Sequence, residues 1–198
     1  MGLLDELMGQ LGGGTAEKIA GQLGVDGGTA TKAIAGALPM LLGGLTRNVK
    51  SGGAGALAGA LDRDHDGSIL DDVAGYLGSD AAPKDDGILG HVFGDSRSKV
   101  ESALGGMSGI DAGSAGKLMQ MLAPMLLGAL GKEKKRRNLD SGGLGDLLGA
   151  ESERTQTDGG GGAMDILGKV LDSDGDGSFT DELASMGKGL LGSMLGKR

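Results

Sequence analysis

The chain has 198 residues, 44 of them glycine, and a formal net charge of −8. The glycines follow no Gly-X-Y period and only 3 residues are proline, so a collagen-like chain is excluded. The absence of cysteine excludes a disulfide framework, a thiol nucleophile and a thiolate zinc site. The acidic balance argues against general nucleic-acid binding and fits the binding of divalent cations.

Apolar residues recur at helical spacing along almost the whole chain, and strand-like alternation is scarce. The strongest apolar stripe of the first half runs from Ile34 to Leu45 and follows Thr29, which is a candidate N-cap. Pro39 lies within this stripe and predicts a kink or a restart of the helix. The pattern therefore predicts an all-α protein built from short, glycine-rich helices.

An acidic stretch at residues 62–72 is the most informative part of the first half. Asp62, Asp64 and Asp66 stand at alternate positions and are followed by Gly67 and Ser68. Calcium takes six to eight oxygen ligands, and alternate side chains on a tightly coiled loop point inward at one ion. Glycine at the sixth position supplies the sharp turn, and the seventh residue contributes its backbone carbonyl. These residues predict an EF-hand-like calcium loop.

The second half of this loop departs from the EF-hand pattern. The twelfth position, where an ordinary loop has a bidentate Glu, is Val73. Asp72 is the favoured closing ligand and Asp71 the alternative, and the weakened exit predicts low affinity and competition by magnesium. The competing interpretation is an acidic turn whose aspartates cap the helix that follows.

A near copy of the acidic stretch occupies residues 172–182. The same order of acids, glycine and hydroxyl residue predicts a second calcium site. Its predicted ligands are Asp172, Asp174, Asp176, Ser178 and Glu182, with Asp181 as the alternative to Glu182. EF-hand loops pair through their eighth residues, which are Ile69 and Phe179 here. We therefore predict that the two loops face each other. The alternative is that each loop packs on its own half.

An internal repeat links the two halves. The segments that begin at Gly24 and Pro39 recur at Gly109 and Pro124, a constant offset of 85 residues. The acidic loops are further apart, because the second copy carries a charged, glycine-rich insertion at residues 132–162. We therefore predict a duplicated helical bundle, with one repeat over residues 1–83 and the other over residues 84–198.

Three segments carry a family resemblance. Residues 1–7 (MGLLDEL), residues 21–45 and residues 141–148 (SGGLGDLL) resemble the YidB-like bacterial family, family 937, a domain of unknown function. The resemblance implies a small helical bacterial protein with no established activity. Its shared residues are helix-packing motifs, so the resemblance does not itself support the calcium sites.

Other candidate sites are weaker. His65 stands at a loop position that normally faces solvent, and His91 lies in an apolar helix where a packed or boundary role is favoured over a base. The basic run at residues 132–137 complements the negative end of the preceding helix, with an anionic partner as the alternative. The amphipathic residues 186–195 are assigned to the bundle, with partner or membrane docking as the alternative.

The sequence thus favours a non-enzymatic calcium-binding helical protein with a structural or regulatory role. No Ser-His-Asp spacing and no phosphate-binding loop supports catalysis. The alternative is a self-assembling or partner-binding scaffold whose metal binding is incidental. Without a secretory signal or an apolar run long enough to span a bilayer, we expect a cytoplasmic protein without membrane contact.

Overall fold

The computed structural model describes residues 2–12, 14–65, 67–78, 87–157 and 161–171. These residues form helices and turns, and no strand occurs among them, so the all-α prediction is confirmed. The helices of the first half are α1 (Leu3–Gln10), α2 (Gly14–Leu23), α3 (Gly27–Asn48), α4 (Ala54–Asp64) and α5 (Val73–Gly78). Those of the second half are α6 (Gly87–Phe93), α7 (Arg97–Ser108), α8 (Ala112–Arg137), α9 (Ser141–Thr157) and α10 (Gly161–Leu171).

The two long helices α3 and α8 form the centre of the bundle. They pack against each other, and α7 packs against both of them. In α8 every residue at positions 121–131 is buried. Buried Leu, Ile, Val, Met and Ala side chains from both halves join one hydrophobic cluster, as expected for a chain with few aromatic residues.

Both central helices begin with the same N-cap. The Asp26 carboxylate accepts a hydrogen bond from the Thr29 amide at 2.9 Å, and Asp111 accepts one from the Ser114 amide at 2.9 Å. The prediction of Thr29 as the N-cap is therefore wrong. The N-cap is Asp26, three residues earlier, because its carboxylate accepts hydrogen bonds from both the amide and the hydroxyl of Thr29.

Each central helix also contains a proline. Pro39 and Pro124 lie inside α3 and α8, and both helices continue past them. The prediction that Pro39 restarts the helix is therefore wrong, although each proline removes one backbone donor. These paired features support the internal repeat at the level of the structure.

The segment at residues 132–162, expected to be a charged, glycine-rich insertion, is helical over most of its length. It contains the last turns of α8 and the whole of α9. Leu144, Leu147 and Leu148 bury one face of α9 against the bundle. In the part of the chain that the structure describes, no helix combines the length and the apolar character needed to cross a membrane.

Candidate functional site

The first acidic loop joins α4 to α5. Asp62 and Asp64 lie in the last turn of α4, which ends before His65. Gly67 has φ +98° and ψ −7°, in the left-handed region that favours glycine. Ser68–Leu70 then form one 3₁₀ turn, and Asp72 directly precedes α5. The predicted ligands that the structure describes, Asp62, Asp64, Ser68 and Asp72, therefore stand in a helix–loop–helix with a sharp turn at the sixth loop position.

Asp62, at the first loop position, forms an ion pair with α8. Its Oδ1 atom lies 2.6 Å from Nζ of Lys134. The Asp62 side chain is 55% exposed, whereas that of Lys134 is only 13% exposed. Lys134 therefore lies along the protein surface with its ammonium group directed at the loop.

Asp72 acts as the N-cap of α5. Its Oδ1 atom accepts a hydrogen bond from the Gly75 amide at 2.7 Å. This is the geometry expected of a helix-capping aspartate, the competing interpretation of the acidic stretch. Because a carboxylate has two oxygens, capping by one of them leaves the carboxylate chemically able to bind a metal with the other.

The loop rests on α8. A Cβ atom added to Gly128 would lie 2.6 Å from Cγ2 of Ile69, so Ile69 packs directly over this glycine. One turn further along α8, Cβ of Lys132 faces Gly67. Ile69 thus packs on the second half of the chain, while Phe179, its predicted partner, lies outside the described residues.

The predicted ligands fall into two groups. Asp62, Asp64, Ser68 and Asp72 are described, and they belong to the first loop. Asp66 and all of residues 172–182 lie outside the described part of the chain. Among the residues that are described, no three His, Cys, Asp or Glu side chains are arranged to hold a metal ion.

A cavity of about 730 Å³ adjoins the loop. Leu45, Leu57 and Leu127 contribute apolar lining, and His65 contributes polar lining from the loop. The sequence does not predict this cavity, because its walls come from helices that are distant in the chain. Its lining also includes Asp64, Ser68, Ile69, Tyr76, Ile88, His91 and Val92.

Burial shifts the pKa of two side chains that line the cavity, His65 and Tyr76. Burial lowers the pKa of His65, and the charge of Asp64 partly opposes this shift. Burial raises the pKa of Tyr76 to about 12. His91 is exposed, and its Nδ1 lies 2.7 Å from the Gly87 carbonyl oxygen of its own helix. This contact fits the predicted boundary role of His91.

The basic run lies in the last turns of α8, where it complements the negative end of the helix. Arg136 and Arg137 both form ion pairs with Glu133, at 2.7 and 2.6 Å. Hydrogen bonding from Arg136, with the charge of Arg137, lowers the pKa of Glu133. Asn138 then ends the helix in the left-handed conformation.

Comparison with known proteins identifies the family. No curated protein and no solved structure matches the chain significantly. The model of a family described as "Bacterial protein of unknown function (DUF937)" matches residues 5–133. This match covers most of α1 to α8, including the first acidic loop, and ends before α9. The chain therefore belongs to this bacterial family of unknown function.

Proposed function

We propose that this chain is a non-enzymatic calcium-binding helical protein. Its first site would be the loop between α4 and α5, with Asp62, Asp64, Asp66, Ser68 and Asp72 as ligands. Its second site would be the loop at residues 172–182. The observation that carries the proposal is the helix–loop–helix with Gly67 at φ +98° in the sixth loop position.

The conformation of Gly67 matters because it sets the path of the loop. A left-handed glycine at this position provides the sharp turn that an EF-hand-like loop needs at its sixth position. In a calcium loop such a turn would bring the following carbonyl and the acids before α5 towards the first aspartates. Oxygen-rich surroundings of this kind suit calcium, which accepts irregular coordination better than magnesium does.

Metal binding would involve the carboxylates of Asp62 and Asp72 in different ways. Asp62 would exchange the ammonium group of Lys134 for the metal ion. Asp72 would bind the metal with one carboxylate oxygen while capping α5 with the other. Because Asp62 would lose its ion pair with Lys134, metal binding at this loop would be weakened.

Calorimetric titration of calcium into the full chain tests the proposal. We expect two bound equivalents in the wild type and one in Asp64→Asn. The control is Asp95→Asn, which removes an exposed acid outside both loops and should retain two equivalents. The proposal is overturned if millimolar calcium gives no binding heat, or if Asp95→Asn loses as much binding as Asp64→Asn.

A sizing experiment addresses the alternative of a self-assembling scaffold. If the protein binds calcium as proposed, it should run as the same small species in calcium and in chelator. Its helix content should differ between the two conditions. Large assemblies that persist in chelator would favour the scaffold. Asp71→Asn and Asp72→Asn, titrated in parallel, distinguish the two candidates for the closing ligand of the first site.

A further inference from the structure

The ion pair between Lys134 and Asp62 joins residues that are 72 positions apart in the chain. Asp62 holds the first loop position, whose carboxylate is a direct ligand in calcium loops of this type. Nζ of Lys134 lies 2.6 Å from its Oδ1 atom. Calcium binds carboxylate oxygen at roughly 2.3–2.6 Å, so the ammonium group lies where a bound ion would have to approach.

Lys134 differs from Arg136 and Arg137 in its partner and its exposure. Arg136 and Arg137 are 63% and 50% exposed and are paired with Glu133 on their own helix. Lys134 is largely covered and is directed away from its own helix, to the loop. Lys134 therefore reaches the loop, whereas Arg136 and Arg137 pair within α8.

The packing of the loop on α8 holds Lys134 in this position. Gly128 and Lys132 contact the loop at Ile69 and Gly67, six and two residues before Lys134 on the same helix. The distance from the α8 backbone to Asp62 is therefore fixed by close contacts on the same helix. A side chain placed in this way loses little additional freedom on pairing with Asp62.

We propose that Lys134 is the internal counter-ion of the first acidic loop, and that calcium must displace it. This inference rests on the proposed calcium-binding function. In the metal-free chain the ammonium group offsets part of the repulsion among the loop carboxylates. On metal binding it would repel the divalent ion, so Lys134 sets the affinity of the first site.

The test compares Lys134→Met with Lys135→Met. Both variants remove one positive charge from the end of α8, but Lys135 is exposed, whereas the ammonium group of Lys134 is largely covered and lies 2.6 Å from Asp62. Both are made with Asp174→Asn, so that the titration reports the first site alone. We expect Lys134→Met to increase calcium affinity by about tenfold and Lys135→Met by less than about twofold, since exposed charges are strongly screened.

The outcomes separate this inference from the proposed function. If calcium binds and the two variants change affinity equally, the inference is overturned and calcium binding stands. If neither the parent nor Lys134→Met binds calcium, both are overturned. Binding that occurs only after Lys134→Met would support displacement directly.

A second measurement needs no substitution at Lys134. Acetylation of lysine amines in the wild-type chain, followed by mass spectrometry, reports how accessible each ammonium group is. Lys134 should react more slowly than Lys135 in chelator and should become several-fold more reactive in calcium. Equal reactivity of Lys134 in chelator and in saturating calcium would overturn the inference even if the variants fold poorly.

Discussion

Replacement of Gly128 by alanine tests the contact that places the first loop on α8. The added Cβ would lie 2.6 Å from Cγ2 of Ile69, well inside van der Waals contact. Cγ2 is attached directly to Cβ of Ile69, so this methyl group cannot move away without a change of rotamer or of the loop backbone. We therefore expect Gly128→Ala to displace the loop from α8.

The magnitude follows from two opposing effects. Alanine in place of glycine within a helix stabilises it by about 0.5–1 kcal/mol. Overpacking of a tight contact costs about 1–3 kcal/mol. Gly149 in α9 is the matched control, because a Cβ added there would meet no atom within 4 Å. Gly149→Ala should stabilise the protein, and Gly128→Ala should leave it about 1–3 kcal/mol less stable than that control.

Urea denaturation of the two variants gives this difference from the midpoints, provided that the slopes agree. Combining Gly128→Ala with Ile69→Ala removes the clashing methyl group. The double variant should therefore be more stable than the sum of the two single changes predicts. Equal stabilisation by Gly128→Ala and Gly149→Ala would show that the close contact does not limit the structure.

Three further predictions concern caps and charges. Asp26→Ala and Asp111→Ala should each lower the urea midpoint, whereas Asn at either position should largely preserve it, since Asn also accepts the cap bond. Hydrogen bonds from Thr29 and Ser114 lower the pKa of the Asp26 and Asp111 carboxyls in the folded protein. The stability that these carboxylates contribute is therefore complete above their pKa in the unfolded chain. It is lost as the pH falls through their lower pKa in the folded protein. Acid unfolding of the Asp26→Asn/Asp111→Asn double variant should therefore depend less on pH below about pH 4 than that of the wild type, and an unchanged profile would contradict this assignment. Glu151 is 4% exposed, and its Oε2 atom accepts a hydrogen bond from the Leu3 amide at 2.8 Å. Glu151→Ala should therefore lower the free energy of unfolding by about 1–3 kcal/mol and speed amide exchange in α1. Glu151→Gln is the milder control. Unchanged exchange in α1 would contradict the role of Glu151.

The helices of this protein could largely be predicted from local sequence. Apolar spacing between Ile34 and Leu45 identified α3, and the repeat identified its counterpart α8. The position of the N-cap is harder to predict from the sequence. Asp26 and Thr29 are both good caps, and only the hydrogen bonds between them decide which one begins the helix. The helix α9 was missed because glycines and charges dominate its composition, although Leu144, Leu147 and Leu148 stand at helical spacing.

Some features of the candidate site depend on local sequence, and others depend on contacts between segments that are far apart in the chain. The turn at Gly67 could be predicted because a loop of alternating acids followed by glycine determines its own backbone path. The ion pair of Asp62 with Lys134 could not, since it depends on how α8 packs against the loop. The cavity beside the loop has the same origin, as its lining joins α3, α4 and α8.

The complete burial of α8 at positions 121–131 has a consequence for how such a chain could have arisen. In this protein α3 of one repeat covers α8 of the other within a single polypeptide. A shorter ancestor with one repeat would have had to cover the same stripe with a second molecule, as a symmetric homodimer whose stability rises with protein concentration. Fusion of two such copies would make that pairing intramolecular and would remove its dependence on concentration.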